Sequence, residues 1–109
     1  MVALSAKKCV PCEGGVAPLP AAKARLLCKE LHQDWQLAKD FKSLKRTLKF
    51  KDFYRTMSFV NAIAFIANIE DHHPDLEIGY DYCRITYATH SIGGLSENDF
   101  ICAAKIDRL

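Results

Sequence analysis

The stretch "FYRTMSFVNAIAFIANIE", residues 53–70, decides the fold. Phe53, Met57, Val60, Ala64 and Ala67 fall on one helical stripe and Phe59, Ile63 and Ile66 on a second, so apolar side chains cover most of the circumference. A helix of that kind belongs at the centre of a domain. Asp52 stands where a carboxylate accepts from the free amides of a first turn. The other end is set by Pro74, which cannot continue a helix and restrains His73 to extended backbone, so the helix is predicted to end by about residue 72. The adjacent imidazoles of "EDHHPD", residues 70–75, therefore fall at a helix-to-strand junction.

Upstream, "PLPAAKARLLCKELH", residues 18–32, has Leu19, Ala22, Leu26, Leu27 and Leu31 at helical spacing and is predicted to dock one face on the core. Residues 35–39, "WQLAK", and 44–50, "LKRTLKF", fit two short strands joined as a hairpin through "DFKS". Lys45, Thr47 and Lys49 mark the second strand's solvated side. Downstream come a short strand near "LEI", a break at Gly79, and a longer strand "YDYCRITYAT", residues 80–89, rich in aromatic and β-branched residues. "SIGGL" breaks that strand. Ser96 then caps a last helix, with Asp99 at the third helical position, where a capping box usually has Glu.

The order α-β-β-α-β-β-α, without continuous βαβ alternation, predicts an α+β fold: an antiparallel sheet of about four strands with three helices on one face. Residues 1–17, with Pro11, Gly14 and Gly15, read as an extended N-terminal arm, and 18–109 as a single domain.

At 109 residues one core suffices. Fifteen Lys and Arg against thirteen Asp and Glu give a formal charge of +2, without the strongly basic footprint of a nucleic-acid binder; the basic run "KDFKSLKRTLKFKDF" reads as a solvated face. No apolar run reaches the ~18–20 residues that cross a bilayer and no hydrophobic signal core opens the chain, so a cytoplasmic protein is expected. Five cysteines (Cys9, Cys12, Cys28, Cys83 and Cys102) are an odd number, and reduced thiols are the expectation. "CVPCEGG", residues 9–15, has the CxxC spacing of half a zinc site or a redox pair, but no second CxxC or HxxxH follows it.

His72, His73 and His90 all fall at element ends. Imidazole titrates near pH ~6.5, so three that converge can both give and take protons at neutral pH. Spacing alone leaves three alternatives: surface histidines at turns, a zinc site of His72, His73 and His90 such as a hydrolase would use, or a metal-free acid/base site.

Residue order narrows the choice. "HHP" at 72–74, then Tyr80, then "THSIGGLSENDF" at 89–100 with His90 and Asp99, resembles the signature of the pterin-4a-carbinolamine dehydratases. The resemblance extends over roughly residues 19–109 and takes in the Trp35 strand, "LKRTLKFKDF" and the long apolar helix. It implies dehydration of 4a-hydroxytetrahydropterin to quinonoid dihydropterin and water, in pterin recycling for an aromatic amino acid hydroxylase, with no cofactor or metal. It further implies a pterin substrate, a homo-dimer or homo-tetramer, and no direct contact with nucleic acid or membrane. Carried over by position, His72, His73 and His90 are the catalytic imidazoles, and Asp71, Thr89 and Asp99 support or orient them. Two positions depart from the family pattern. Asn68 stands where relatives usually have an ionisable residue, often Glu, four positions before the first histidine. Leu76 stands where some carry Trp, and is expected to cover the pterin plane. The resemblance also leaves room for a dimerisation cofactor of a transcription factor, or for a role linked to molybdopterin.

Overall fold

The computed structural model describes residues 2–11 and 16–109. Cys12 of the CxxC pair, with Gly14 and Gly15, lies outside the described residues. The elements are α1 (Ala21–Cys28), β1 (Gln36–Leu37), β2 (Leu44–Lys49), α2 (Phe53–Glu70), β3 (Asp75–Ile78), β4 (Tyr82–Tyr87) and α3 (Glu97–Ile106), with short 3₁₀ turns at Leu4–Ala6 and His90–Ile92. All strand pairs are antiparallel, in the order β1-β2-β4-β3, which gives the α+β architecture expected from the sequence.

β4 shows the period of two that builds the core. Cys83, Ile85 and Tyr87 are fully buried on the face that meets the helices, while Tyr82, Arg84 and Thr86 turn the other way. Register places Leu44 beside Tyr87 and Leu76 beside Ile85 on the covered face. On the open face Arg84 ties the sheet together, donating to Thr47 of β2 and to Glu77 of β3.

In α2 the face turned to the core is Thr56, Val60, Ile63 and Ala67, spaced at four, three and four residues. Asp52 caps it as expected, accepting from the Arg55 amide at 2.9 Å. Ile63 has no exposed surface, so Ile63→Ala should cost ~2–5 kcal/mol through lost burial and the cavity left behind. The apolar residues continue around the helix, and Tyr54, Phe65 and Ile69 face outward. In α1 the expected stripe is rotated: Ala24 and Leu27 are buried, with Leu31 beyond the helix end, whereas Leu26 and Ala22 are exposed. β1 is shorter than predicted because turns claim both ends: the Trp35 amide bonds the His32 carbonyl, and the Phe41 amide bonds the Ala38 carbonyl, with Phe41 at φ 58°; the buried Trp35 indole donates to Asp107 at 2.7 Å. Asp107, just past α3, also accepts from the His32 amide and, at 2.5 Å, from Arg46, the one cation on the covered face of β2.

The N-terminal arm is fastened to α3. Leu4 is buried in the common core, and Lys105 donates to the Ser5 carbonyl at 2.8 Å.

Candidate active site

Three chain ends meet at one side of the sheet: the C-terminus of α2, the C-terminus of β4 and the first turn of α3. Each is shaped by a local feature. α2 closes on Asp71 in left-handed backbone (φ 50°, ψ 43°), a conformation that a short polar side chain tolerates better than most. That residue turns the chain so that the two following imidazoles part company. His72 swings towards α3, and His73 folds back on α2. At the end of β4, the Thr89 amide bonds the Gly94 carbonyl at 2.9 Å, and Gly93 takes φ 70°, closing the tight loop that presents His90.

His72 is held on two sides. Its Nε2 meets Asp99 Oδ1 at 2.6 Å, and its ring stacks on the buried Tyr87 ring, with centroids 5.5 Å apart and planes 9° apart. Asp99 has no exposed surface, and its second oxygen is also occupied, accepting from Thr89 Oγ1 at 2.8 Å and from the Ser96 amide at 2.9 Å. The Thr89 hydroxyl proton is committed to Asp99, so the Ser96 hydroxyl, 2.8 Å away, must donate to Thr89. A directed chain results: Ser96 to Thr89 to Asp99, with His72 Nε2–H donating from the other side. Asp99 thus both caps α3 and fixes which nitrogen of His72 carries the proton. Burial pulls the His72 pKa down, but the hydrogen bond and charge of Asp99, helped by Cys102 and Asp71, outweigh it and leave the ring above the ordinary imidazole value.

His73 is exposed, and its Nε2 lies 3.0 Å from Asn68 Oδ1. An amide oxygen only accepts, so His73 donates from Nε2 and keeps Nδ1 as the lone-pair nitrogen of the neutral ring.

A cavity of about 530 Å³ opens at this junction. Of the residues singled out in the sequence, Asp71, His72, His73, Thr89 and His90 line it. Asn68 acts on it through His73, and Asp99 lies behind His72. Leu76 is elsewhere: it pairs with Ile85 in β3 and packs against the core, where a side chain on the covered face of a strand must point. Among the described residues, no three His, Cys, Asp or Glu side chains are arranged to hold a metal ion. The three imidazoles share a cavity without forming a chelate.

Neither the CxxC spacing nor the family signature points to the rest of the wall. Cys9, Val10 and Pro11 of the arm form one side, with Glu70 and Asn98 behind them. Glu70 accepts from the Cys9 amide at 2.8 Å, and Asn98 clasps Val10 by both its amide and its carbonyl, at 3.0 and 2.5 Å. Arm and site are one structure here, although the resemblance read from the sequence begins only at about residue 19.

Residues 17–109 match the family model for pterin 4 alpha carbinolamine dehydratase. The chain belongs to that family. It is 59% identical over 106 residues to a Nitrosomonas europaea protein assigned by name to the pterin-4-alpha-carbinolamine dehydratases, covering 97% of this chain and 92% of that one. Identity is 55% to a Legionella pneumophila protein assigned in the same way, over 97% of this chain and 94% of its relative. Among solved structures, the fold is similar to a transcriptional coactivator/pterin dehydratase from Brucella melitensis, with TM-score 0.78 and 31% identity over 84% of this chain and 96% of that one. It is also similar to a pterin dehydratase-like protein identified as a RuBisCO assembly factor in the alpha-carboxysome, with TM-score 0.61 and 23% identity over 71% and 89% of the two chains, a likeness of fold alone. Like other chains of the pterin carbinolamine dehydratase family, this one is expected to handle a pterin. Among the described residues, no helix is long and apolar enough to cross a membrane.

Proposed function

We propose that the chain dehydrates a 4a-hydroxytetrahydropterin at this cavity, with His72, His73 and His90 as its acid/base groups. The observation that carries the reading is the convergence of three imidazoles from two distant segments on one cavity, one of them bound to a buried carboxylate. About 530 Å³ falls within the ~300–1,000 Å³ of small-molecule sites and suits a bicyclic ring.

The reaction breaks the bond between C4a and its hydroxyl oxygen. The hydroxyl leaves as water once protonated, and the neighbouring ring nitrogen gives up its proton as its electrons move into the ring, leaving quinonoid dihydropterin. His72, held above the usual imidazole pKa, is suited to supply the proton to the leaving oxygen. His73 is suited to accept one at Nδ1, since Asn68 occupies Nε2. His90, exposed at the mouth, exchanges protons with solvent and resets the pair. Pterin recycling for an aromatic amino acid hydroxylase, in the cytoplasm, is the setting that such chemistry serves.

A stopped-flow assay with freshly generated 4a-hydroxytetrahydropterin tests this. Dehydration should accelerate in proportion to protein concentration, and His73→Ala should lower turnover by roughly 10²–10⁴. Wild-type protein that leaves the spontaneous rate unchanged overturns the reading.

We further propose a homo-dimer or homo-tetramer. The support is the outward-facing apolar surface of α2, with Tyr54, Phe65 and Ile69 exposed, together with the open edge of β3. Light scattering that finds only the 12.3 kDa chain at micromolar concentration contradicts it.

A further inference from the structure

Cys9 and Cys102 are 93 residues apart in sequence, yet their sulfurs lie 3.6 Å from each other. Their situations differ. Cys102 is fully buried on α3 behind His72, while Cys9 is partly exposed on the arm and lines the cavity. Both thiols are free, in van der Waals contact, and need ~1.6 Å of approach to reach the ~2.05 Å of a disulfide. The arm can supply that movement, because residues 7–11 lie in neither helix nor strand and are tied to the site by side chains, Glu70 to the Cys9 amide and Asn98 to Val10.

We propose that Cys9 and Cys102 form a peroxide-responsive thiol pair whose oxidation staples the N-terminal arm to α3 across the back of the candidate site. The Cys9 thiol is held above the ordinary thiol value by its hydrogen bond with Cys102, by burial and by the Glu70 charge, but it is reachable from the cavity, and its ionised fraction reduces hydrogen peroxide: one oxygen passes to its sulfur to give a sulfenic acid, and one water leaves. The Cys102 sulfur then attacks the Cys9 sulfur; the S–O bond breaks, the S–S bond forms, and the hydroxyl departs with the Cys102 proton as a second water. In sum, two thiols and one peroxide give one disulfide and two waters. Cys102 suits the attacking role. Its sulfur is buried 3.6 Å from that of Cys9, so its nearest electrophile is the sulfenic acid formed there. The pair is independent of the dehydratase reading, because it requires only the two sulfurs and the cavity that admits the oxidant.

Peptide mapping tests it directly. The full chain is treated with hydrogen peroxide, remaining thiols are alkylated, and trypsin is applied without reductant. Cleavage after Lys8, Lys23, Arg84 and Lys105 puts Cys9 and Cys12 in one peptide, 9–23, and Cys102 in another, 85–105. The expected product is the two peptides joined, two hydrogens lighter than their sum, separated again by dithiothreitol, and retained in Cys12→Ser. Closing a loop of this length should also raise the melting temperature of the oxidised Cys12→Ser protein by about 5 °C or more over its reduced form. Cys9→Ser, a change at a partly exposed position that leaves the core intact, should abolish both. A bond confined to peptide 9–23 in the wild type, or Cys12→Ser protein in which Cys9 is oxidised while Cys102 remains alkylatable, overturns the proposal.

Discussion

The two ends of α3 each carry an aspartate that gathers donors from distant parts of the chain, and they do different work. At the C-terminal end Asp107 accepts from the Trp35 indole, the Arg46 guanidinium and the His32 amide. At the N-terminal end Asp99 accepts from Thr89, the Ser96 amide and His72. The counts match and the chemistry does not. An indole, a guanidinium and a peptide amide are donors and nothing else, whereas an imidazole can give up its proton and take it back. Only the N-terminal cluster opens into the cavity with the other histidines. What sets Asp99 apart is its one titratable partner, not its burial or the number of its bonds.

Exchanging each aspartate for a close relative separates the two roles. Asp99→Asn should have the largest effect, lowering kcat by roughly 10²–10⁴. The new amide can still accept from Ser96 and Thr89 with its oxygen, but it then turns N–H towards His72 and forces the wrong tautomer. Because Asp99 acts through His72, the diagnostic readout is the pH profile. The limb that reports His72 should move to lower pH while KM changes little. Equal losses in kcat and thermal stability, with an unmoved profile, would reduce Asp99 to a helix cap.

Asp107→Ala should do the reverse. It leaves the Arg46 guanidinium, 13% exposed, without its carboxylate, and should cost ~3–5 kcal/mol in denaturant unfolding. Turnover per folded molecule should hold. A Cm unchanged within error would show that Arg46 finds water or another acceptor.

Smaller again is the pH dependence of stability. The folded pKa of His72 is raised, so its contribution is fully present below the unfolded value of ~6.5 and is lost as pH rises through the folded value. Melting temperature should therefore decline between about pH 6 and pH 8 in the wild type, and His72→Gln should flatten the decline. A wild-type slope that the substitution leaves unaltered would mean that other groups set it.

The smallest effect belongs to the open side of the site. Asn68→Glu places a carboxylate beside His73 at a solvent-exposed pair, where interactions are weak, so dehydration should rise by about tenfold or less, with a shift of the pH profile. Unimproved turnover together with weaker pterin binding would mark Asn68 as fitted to a different ligand.

The legible and illegible parts of the sequence divide on physical lines. The course of α2 could be read because Asp52 and Pro74 are local signals that act on their own neighbours. The rotated face of α1 could not, because Leu26 and Leu27 are equally apolar and only packing chooses between them. β1 is overextended in the sequence reading for a different reason: "DFKS" reads as the hairpin connection, but the turn begins at Ala38, with Phe41 in left-handed backbone, and takes Ala38 and Lys39 out of the strand. In the site, the histidines were found through residue order. The family motif implied a pterin-facing role for Leu76, which the pleat of β3 turns into the core instead. Cys9, Val10 and Pro11 stand in the CxxC stretch, and Glu70 and Asn98 in the stretches around the histidines, but no spacing joins them into one wall, since that arises from an arm folding back over helix ends far away in the chain.

The Ser96 amide is pinned by the same carboxylate oxygen that Thr89 bonds, and the other oxygen of that carboxylate holds an imidazole 27 residues away in sequence. Any event that alters the His72 ring, such as proton loss or ligand arrival, redistributes charge on Asp99 and so changes how firmly that amide is held. In native-state hydrogen exchange the Ser96 N–H should accordingly shift its protection with pH in step with the ring, although the amide itself does not titrate. The backbone amide that caps the last helix thus serves as a spectroscopic probe of the candidate catalytic imidazole.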